Sequence, residues 1–274
     1  MPSNENVELS AVQLIARQDA MLGFIKEAGE LAMSYFRHPS RLQVESKGVQ
    51  DFVTAADKAV EALLVEKIRT AFPADGVIGE EGGVRDGGAG SGAVWIIDPI
   101  DGTANFARGL PFWCISVGLM VGSHIELGII LDPVTGELFS ARRGAGAFCD
   151  GQPIRVSSVE SPALARINLG FTFHRKPEYF LTAVARLVAR KCDWSRLGSA
   201  ALGLSYVASG RLDGYWAPHV KAWDVAAGIC LAKEAGAVVS DFMADGGLRK
   251  GNMILAATPG MAEFFQSQLH DLAR

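Results

Sequence analysis

The segment Trp95-Ile96-Ile97-Asp98-Pro99-Ile100-Asp101-Gly102-Thr103 ends an apolar run in two carboxylates three residues apart. Pro99 disfavours helix at Asp98, and Gly102 permits a sharp turn. Both carboxylates and the Ile100 carbonyl can therefore fold around one point. Thr103, Ala104 and Asn105 could then open a helix, whose first N–H groups would cradle a phosphate. On spacing alone, a pair of turn aspartates capping a helix is an equal reading.

Other carboxylates sit at similar places. Glu80 and Glu81 follow the apolar pair Val77-Ile78, Asp57 stands at the start of a helical pattern, and Asp224 opens another in Trp223-Asp224-Val225-Ala226. Singly, each reads as a helix cap or a solvated turn. Converging, Asp57, Glu80, Asp98, Asp101 and Asp224 would concentrate negative charge that only cations or protons could hold. An all-oxygen set with no His or Cys favours a hard ion, Mg²⁺ or Mn²⁺.

The elements that must position them alternate in period. Ile15, Leu22, Ile25, Ala28, Ala32 and Phe36 recur at helical steps, and Pro39 is the expected stop. A second helix is predicted from Asp57 to Thr70, with Thr54 and Asp57 as a capping pair. Strands are predicted at Val77–Ile78 and Ala93–Ile97. The glycine-rich stretch from Gly82 to Gly92 between them reads as a mobile surface loop. Residues 112–157 alternate as an antiparallel meander, punctuated at Gly122-Ser123, Thr135-Gly136 and Asp150-Gly151. Helices are predicted at 177–190, 199–209, 224–235 and 260–271, and short strands near 166–170, 213–216, 237–240 and 253–257. The class is mixed α/β (α+β), in layers.

Composition sets limits. The chain has 274 residues, 49% hydrophobic and 20% charged, with a net charge of −4. That is ordinary for a globular protein, so disorder and fibre are excluded. An acidic balance argues against nucleic-acid binding, and Arg142-Arg143 reads as a solvated turn. No run of 18 apolar residues is present, which argues against a membrane span. The N-terminus shows no signal-peptide pattern. Cys114, Cys149, Cys192 and Cys230 include no Cys-x-x-Cys pair and read as reduced thiols in a cytoplasmic protein.

Other chemistries find less support. Cys149 and Arg155 have the six-residue spacing of a thiolate nucleophile and arginine clamp. Asp150 would raise the thiol pKa, however, and Pro153 removes an N–H from any cradle. No Gly-x-Ser-x-Gly, Walker motif or dinucleotide fingerprint occurs.

Taken in order, several segments resemble the inositol monophosphatase family of Mg²⁺-dependent, lithium-sensitive phosphatases. They are Lys47 through Asp57, Gly79-Glu80-Glu81, Asp98 through Phe106, Gly198-Ser199-Ala200-Ala201 and Ala222 through Gly228. The resemblance implies a layered α-β-α-β-α sandwich, a homodimer and a small phosphorylated metabolite as substrate. It implies that Glu80, Asp98, Asp101 and the Ile100 carbonyl hold one Mg²⁺. Asp98, Asp101 and Asp224 would hold a second, and a third would lie near Glu80. Thr103 and Asp57 would orient and deprotonate the attacking water, with Glu80 counted among the catalytic residues. Asp101, Gly102, Thr103, Gly198, Ser199, Ala200, Ala217 and Asp224 would line the substrate site. Glu81 and Lys47 would support the metal ligands from behind.

The chain is expected to act as one catalytic unit over 1–274. Its N-terminal half, about 1–157, carries most metal ligands; its C-terminal half, about 158–274, carries the last ligand and the substrate pocket. One departure bears on substrate. Inositol-preferring members carry a hydroxyl-binding glutamate where this chain has Ala217. Inositol monophosphate is the first expectation and histidinol phosphate the second. Fructose 1,6-bisphosphate, a 3′(2′),5′-bisphosphate nucleotide and a transcription- or RNA-associated binding role follow. Trp216, His219 and Lys221 could shape a different pocket.

Overall fold

The structure is a computed structural model describing residues 9–38, 42, 44–48, 51–85, 90–173 and 175–273. Pro39, His174 and part of the glycine-rich stretch, residues 86–89, lie outside them.

Two helices begin the chain. α1 (Ala11–Phe36) opens on a Ser10/Gln13 capping box and buries Met21, Ile25, Ala28 and Ala32. A small hairpin, β1 (Val44–Gly48) and β2 (Asp51–Thr54), leads into α2 (Ala55–Ala71). These helices cover one face of an eight-stranded sheet, made by β3 (Gly76–Gly79), β4 (Gly83–Arg85), β5 (Ala93–Asp101), β6 (Cys114–Val121), β7 (His124–Asp132), β8 (Glu137–Arg142), β9 (Gly146–Cys149) and β10 (Gln152–Pro153). Its order is β10-β9-β8-β7-β6-β5-β3-β4, antiparallel apart from the β3–β5 pair. A four-residue helix, α3 (Thr103–Phe106), follows β5 directly.

The rest of the chain builds the remaining layers. β11 (Arg166–Leu169), α4 (Pro177–Ala189), β12 (Asp193–Ser195), α5 (Ala200–Ala208), β13 (Gly214–Val220), α6 (Ala222–Glu234), β14 (Val238–Val239), α7 (Gly247–Lys250), β15 (Asn252–Ala257) and α8 (Pro259–Leu269) follow in that order. The second sheet runs β12-β11-β13-β15-β14, with β11 parallel to both β12 and β13. Helices α5 and α6 lie between the two sheets, and α4 and α8 close the far side. The layers are thus α1/α2, large sheet, α5/α6, small sheet and α4/α8, the expected sandwich.

Apolar burial explains the layering. Trp95, Ile97, Ile115, Val117, Leu119 and Ile129 face α1 and α2. Ile96, Leu204, Val225, Ile229 and Ile254 fill the space between the sheets. Helix α6 sits directly on the large sheet: a Cβ on Gly128 would lie 2.2 Å from the Ala227 carbonyl oxygen. Glycine at that position lets the helix approach the strands closely. Among the described residues, no helix is long and apolar enough to cross a membrane.

Three features depart from the sequence reading. The described ends of the glycine-rich stretch are tied down: β4 pairs with β3, and Ser91 Oγ donates to Asp75 Oδ1 at 2.7 Å. Asp75 is buried and also takes Arg17 and the Trp95 indole N–H, an anchor that apolar periodicity does not reveal. The Arg142-Arg143 pair is no free turn. Arg142 ends β8 with Nε buried, and Arg143 pairs with Glu126 at 3.0 Å.

Candidate metal and substrate site

The site begins with the irregularity at the end of β5. In a regular strand, residues three apart point to opposite faces. The pairing of β5 with β6 shifts register between Asp98 and Asp101, where Pro99 removes an N–H. Asp98 is 2% exposed and Asp101 7%, so a charge-bearing pair is buried at the kink. Gly102 then takes φ +100, which only glycine adopts freely, and turns the chain into α3.

Helix N-termini supply the next two carboxylates by one device. Asp57 is the third residue of α2 and reaches back to accept the Thr54 N–H at 2.8 Å. Asp224 is the third residue of α6 and accepts the Lys221 N–H at 2.9 Å. Asp101 meets a third helix from outside. Its Oδ2 accepts Ser199 Oγ–H and the Ala201 N–H, each at 2.6 Å, at the start of α5. The positive ends of α2, α5 and α6 are therefore directed at the carboxylates, which offsets part of their mutual repulsion.

Four other carboxylates act electrostatically on Asp98. Burial and the charges of Glu80, Asp101, Asp224 and Asp57 push the Asp98 pKa well above the ordinary carboxylate range. Burial raises Asp57 and Asp101 to about 6, although hydrogen bonds from Thr54 and Ser199 respectively oppose the shift. Burial and Asp101 raise Asp224 to about 7, with Lys221 in opposition. Glu80 follows β3, and its N–H donates to the Ile97 carbonyl at 3.2 Å, one residue before Asp98.

The donors available are carboxylate oxygens and the Ile100 carbonyl, a set suited to a hard cation. Hydrogen bonds fix one oxygen each of Asp98, Asp101 and Asp224. Among the described residues no group of three or more His, Cys, Asp or Glu side chains is drawn together closely enough to hold a metal ion. Mg²⁺ needs few protein ligands, because it commonly keeps waters and substrate oxygens in its shell. Thr103 Oγ1 lies 2.9 Å from the Ile100 carbonyl and 3.2 Å from Asp57 Oδ1.

A cavity of about 160 Å³ opens beside this group and is lined by Asp101, Asp224, Gly198, Ser199, Ala200 and Arg196, among others. Five of the residues read as substrate-lining, Asp101, Gly198, Ser199, Ala200 and Asp224, are thus found together, whereas Gly102 and Thr103 are not on the lining. Ala217 is not on the lining. It is 1% exposed in the core between the sheets. Trp216, offered as a pocket residue, is fully buried between the small sheet and the outer helices. His219 instead lies 3.1 Å from the Lys250 carbonyl, and Lys221 precedes α6 as its cap. The Lys47 side chain lies outside the described residues.

Two supporting roles escaped the sequence reading. Glu61, 2% exposed on α2, accepts the Glu81 and Gly82 N–H groups at 2.8 Å each. It lies one helical turn beyond Asp57, and that i, i+4 spacing was the available signal. Asn105 Nδ2 donates to the Phe112 and Leu197 carbonyls, tying α3 to the chain before Gly198. Cys149 is unsuited to nucleophilic work: burial, Asp150 and Glu137 push its thiol to about 11.

Known proteins share this architecture. The chain is 37% identical over 246 residues to Nus factor SuhB of Vibrio cholerae serotype O1, covering 88% of this chain and 91% of that protein. The crystal structure of extragenic suppressor protein suhB from Bartonella henselae superposes with a TM-score of 0.87 at 33% identity, over 93% of this chain and 98% of that one. Inositol monophosphatase from Anabaena superposes with a TM-score of 0.81 at 33% identity, over 94% and 96%. The sequence profile of the inositol monophosphatase family matches residues 17–273, and the chain belongs to that family.

Proposed function

We propose that this chain is a Mg²⁺-dependent phosphomonoesterase acting on a small phosphorylated metabolite. The observation that carries the reading is the burial of Asp98 amid Glu80, Asp101, Asp224 and Asp57, beside an open cavity. Glu80, Asp98, Asp101, Asp224 and the Ile100 carbonyl are the proposed ligands of two to three Mg²⁺, with Mn²⁺ as a substitute. Bound there, hard divalent ions supply Lewis-acid charge and lower the pKa of water.

The chain's own groups do the rest. The Thr103 hydroxyl has one proton and two acceptors within reach, Asp57 and the Ile100 carbonyl. It can donate to one while its lone pairs orient a water for in-line attack on phosphorus. Asp57, held by Thr54 and raised by burial, accepts the proton of that water. The Gly102 and Thr103 N–H groups bind phosphate oxygens. Glu81 supports the ligands, and Ser199 and Ala201 orient Asp101. Water is the nucleophile, so no phosphoenzyme forms. Asp224, on the cavity lining, serves the leaving-group side.

The whole chain forms one catalytic unit, its halves meeting where Asp101 accepts the Ser199 hydroxyl and the Ala201 N–H at the start of α5. We place it in the cytoplasm as a homodimer. Inositol monophosphate leads among polyol substrates, with histidinol phosphate as the alternative. The test is phosphate release from a panel of esters with Mg²⁺ and with EDTA. Mg²⁺-dependent turnover is expected; absence of turnover for every ester overturns the reading.

The name Nus factor borne by the Vibrio relative favours a second reading, an interaction protein associated with transcription. A salt-dependent RNA shift by the purified protein would support it, and no shift at low salt would count against direct RNA contact.

A further inference from the structure

We propose that the alcohol part of the substrate carries a second anionic group, bound by Arg196 at the mouth of the cavity. The proposal rests on the phosphatase reading alone and changes its order of substrates, placing bisphosphates and carboxylate-bearing esters ahead of inositol monophosphate and histidinol phosphate.

Topology puts the arginine there. β11, β12 and β13 run parallel, and the chain leaves their carboxyl ends into Gly170-Phe171, Arg196 and Val220. All four line the same cavity as Asp101 and Asp224. The crevice outside the carboxyl ends of parallel strands is where open α/β sheets bind ligands.

Charge in this cavity is divided. Asp101 and Asp224 bring carboxylates to the lining, and Arg196 is the one cationic residue among its described members. Its guanidinium lies 5.7 Å from the Phe171 ring centroid. Among the described residues it makes no hydrogen bond or ion pair. Arg196 is charged at every relevant pH and presents a planar fork that matches a carboxylate or phosphate.

The platform under it is fixed. Phe173 and Phe180 meet Phe171 edge-on, at 4.8 and 5.2 Å between centroids. An arginine laid on a held ring forfeits less freedom when it takes an anion. Ala217 offers no hydroxyl acceptor and is buried, so a neutral polyol gains no contact there. A second anion gains a charge-assisted pair with Arg196. A cationic alcohol meets its repulsion, which disfavours amine-bearing esters such as histidinol phosphate.

Matched esters test this. Fructose 1,6-bisphosphate is compared with fructose 1-phosphate, and 6-phosphogluconate with glucitol 6-phosphate. The first pair reads a second phosphate and the second a carboxylate. Each is measured as kcat/KM at saturating Mg²⁺ for wild type, R196A and R196K. We expect wild type to prefer at least one anionic member by 10-fold or more. R196A should shrink that preference to within about 3-fold, and R196K, lacking the fork, should fall between. No preference in wild type, or a preference kept in R196A, overturns the proposal. If no ester is turned over, the phosphatase reading fails instead. Calorimetric binding of the same pairs then decides the subsite: an anion preference lost in R196A sustains it, and equal binding overturns it.

Discussion

Glu61 faces Gly79 so closely that a Cβ on the glycine would lie 2.5 Å from the glutamate's carboxyl carbon. The same carboxylate takes both the Glu81 and Gly82 N–H groups. Because Glu61 shares α2 with Asp57, one helix fixes the proposed base and, through backbone, the turn that carries Glu80.

Replacing Glu61 by Gln would turn one acceptor into a donor facing a backbone N–H. A buried donor left facing a donor costs about 1–3 kcal/mol. Residues that orient metal ligands typically change metal affinity by about 10–100-fold. We expect Glu61→Gln to raise the Mg²⁺ concentration for half-maximal activity by about that factor, with a smaller fall in kcat at saturating Mg²⁺. Mg²⁺ titration of phosphate release measures this, and an unchanged half-maximal concentration would refute the positioning role.

Asp98 and Asp224 are buried among like charges, so removing either charge acts in opposite directions on activity and stability. Asp98→Asn and Asp224→Asn should abolish Mg²⁺-dependent turnover. In EDTA each should melt higher than wild type, because repulsion and desolvation are relieved. A gain of about 1 kcal/mol corresponds to roughly 2–4 °C. Retained activity, or a lower melting temperature in EDTA, would contradict the grouping.

How far the sequence revealed this site depends on which interactions are local. Asp57 and Asp224 announced themselves through helix-start patterns, and the Asp98–Asp101 kink through Pro99 and Gly102. The strands of the meander followed their alternation, and the Asp150-Gly151 hairpin turn is present with both residues at positive φ. What escaped was carried by contacts distant in sequence. Glu61 reads as one more charge on an amphipathic helix until β3 is laid against it. Asp75 acts through Arg17, 58 residues away. Ala217 and Trp216 are adjacent on β13, and only the sheet's two neighbours show that neither lines the cavity.

The raised carboxylates also fix a pH dependence. Asp57 and Asp101 titrate at about 6 and Asp224 at about 7, against an ordinary value of 3.8. Between those values the metal-free folded protein binds more protons than the unfolded chain. Its stability contribution from these groups is therefore full below pH 3.8 and falls as pH rises through 6 to 7. Mg²⁺ requires the ionised forms, so its stabilising effect should grow over the same window. Melting curves from pH 5 to 8, with EDTA or Mg²⁺, should diverge as pH rises. Parallel curves would show that these carboxylates do not bind the ion.

Ser199 joins two functions at one hydroxyl. Its Oγ accepts the Leu202 N–H at 3.2 Å as the cap of α5, and donates to Asp101 Oδ2 at 2.6 Å. The second bond holds the Asp101 pKa below what burial alone would impose. Ser199→Ala removes both. Loss of the cap should cost about 1 kcal/mol of stability. Loss of the donor should raise the Asp101 pKa, so the acid limb of the kcat/KM–pH profile should move to higher pH. Ser199→Thr restores a hydroxyl and should return the limb toward its wild-type position. A stability loss with an unmoved acid limb would mean that Ser199 serves the helix alone.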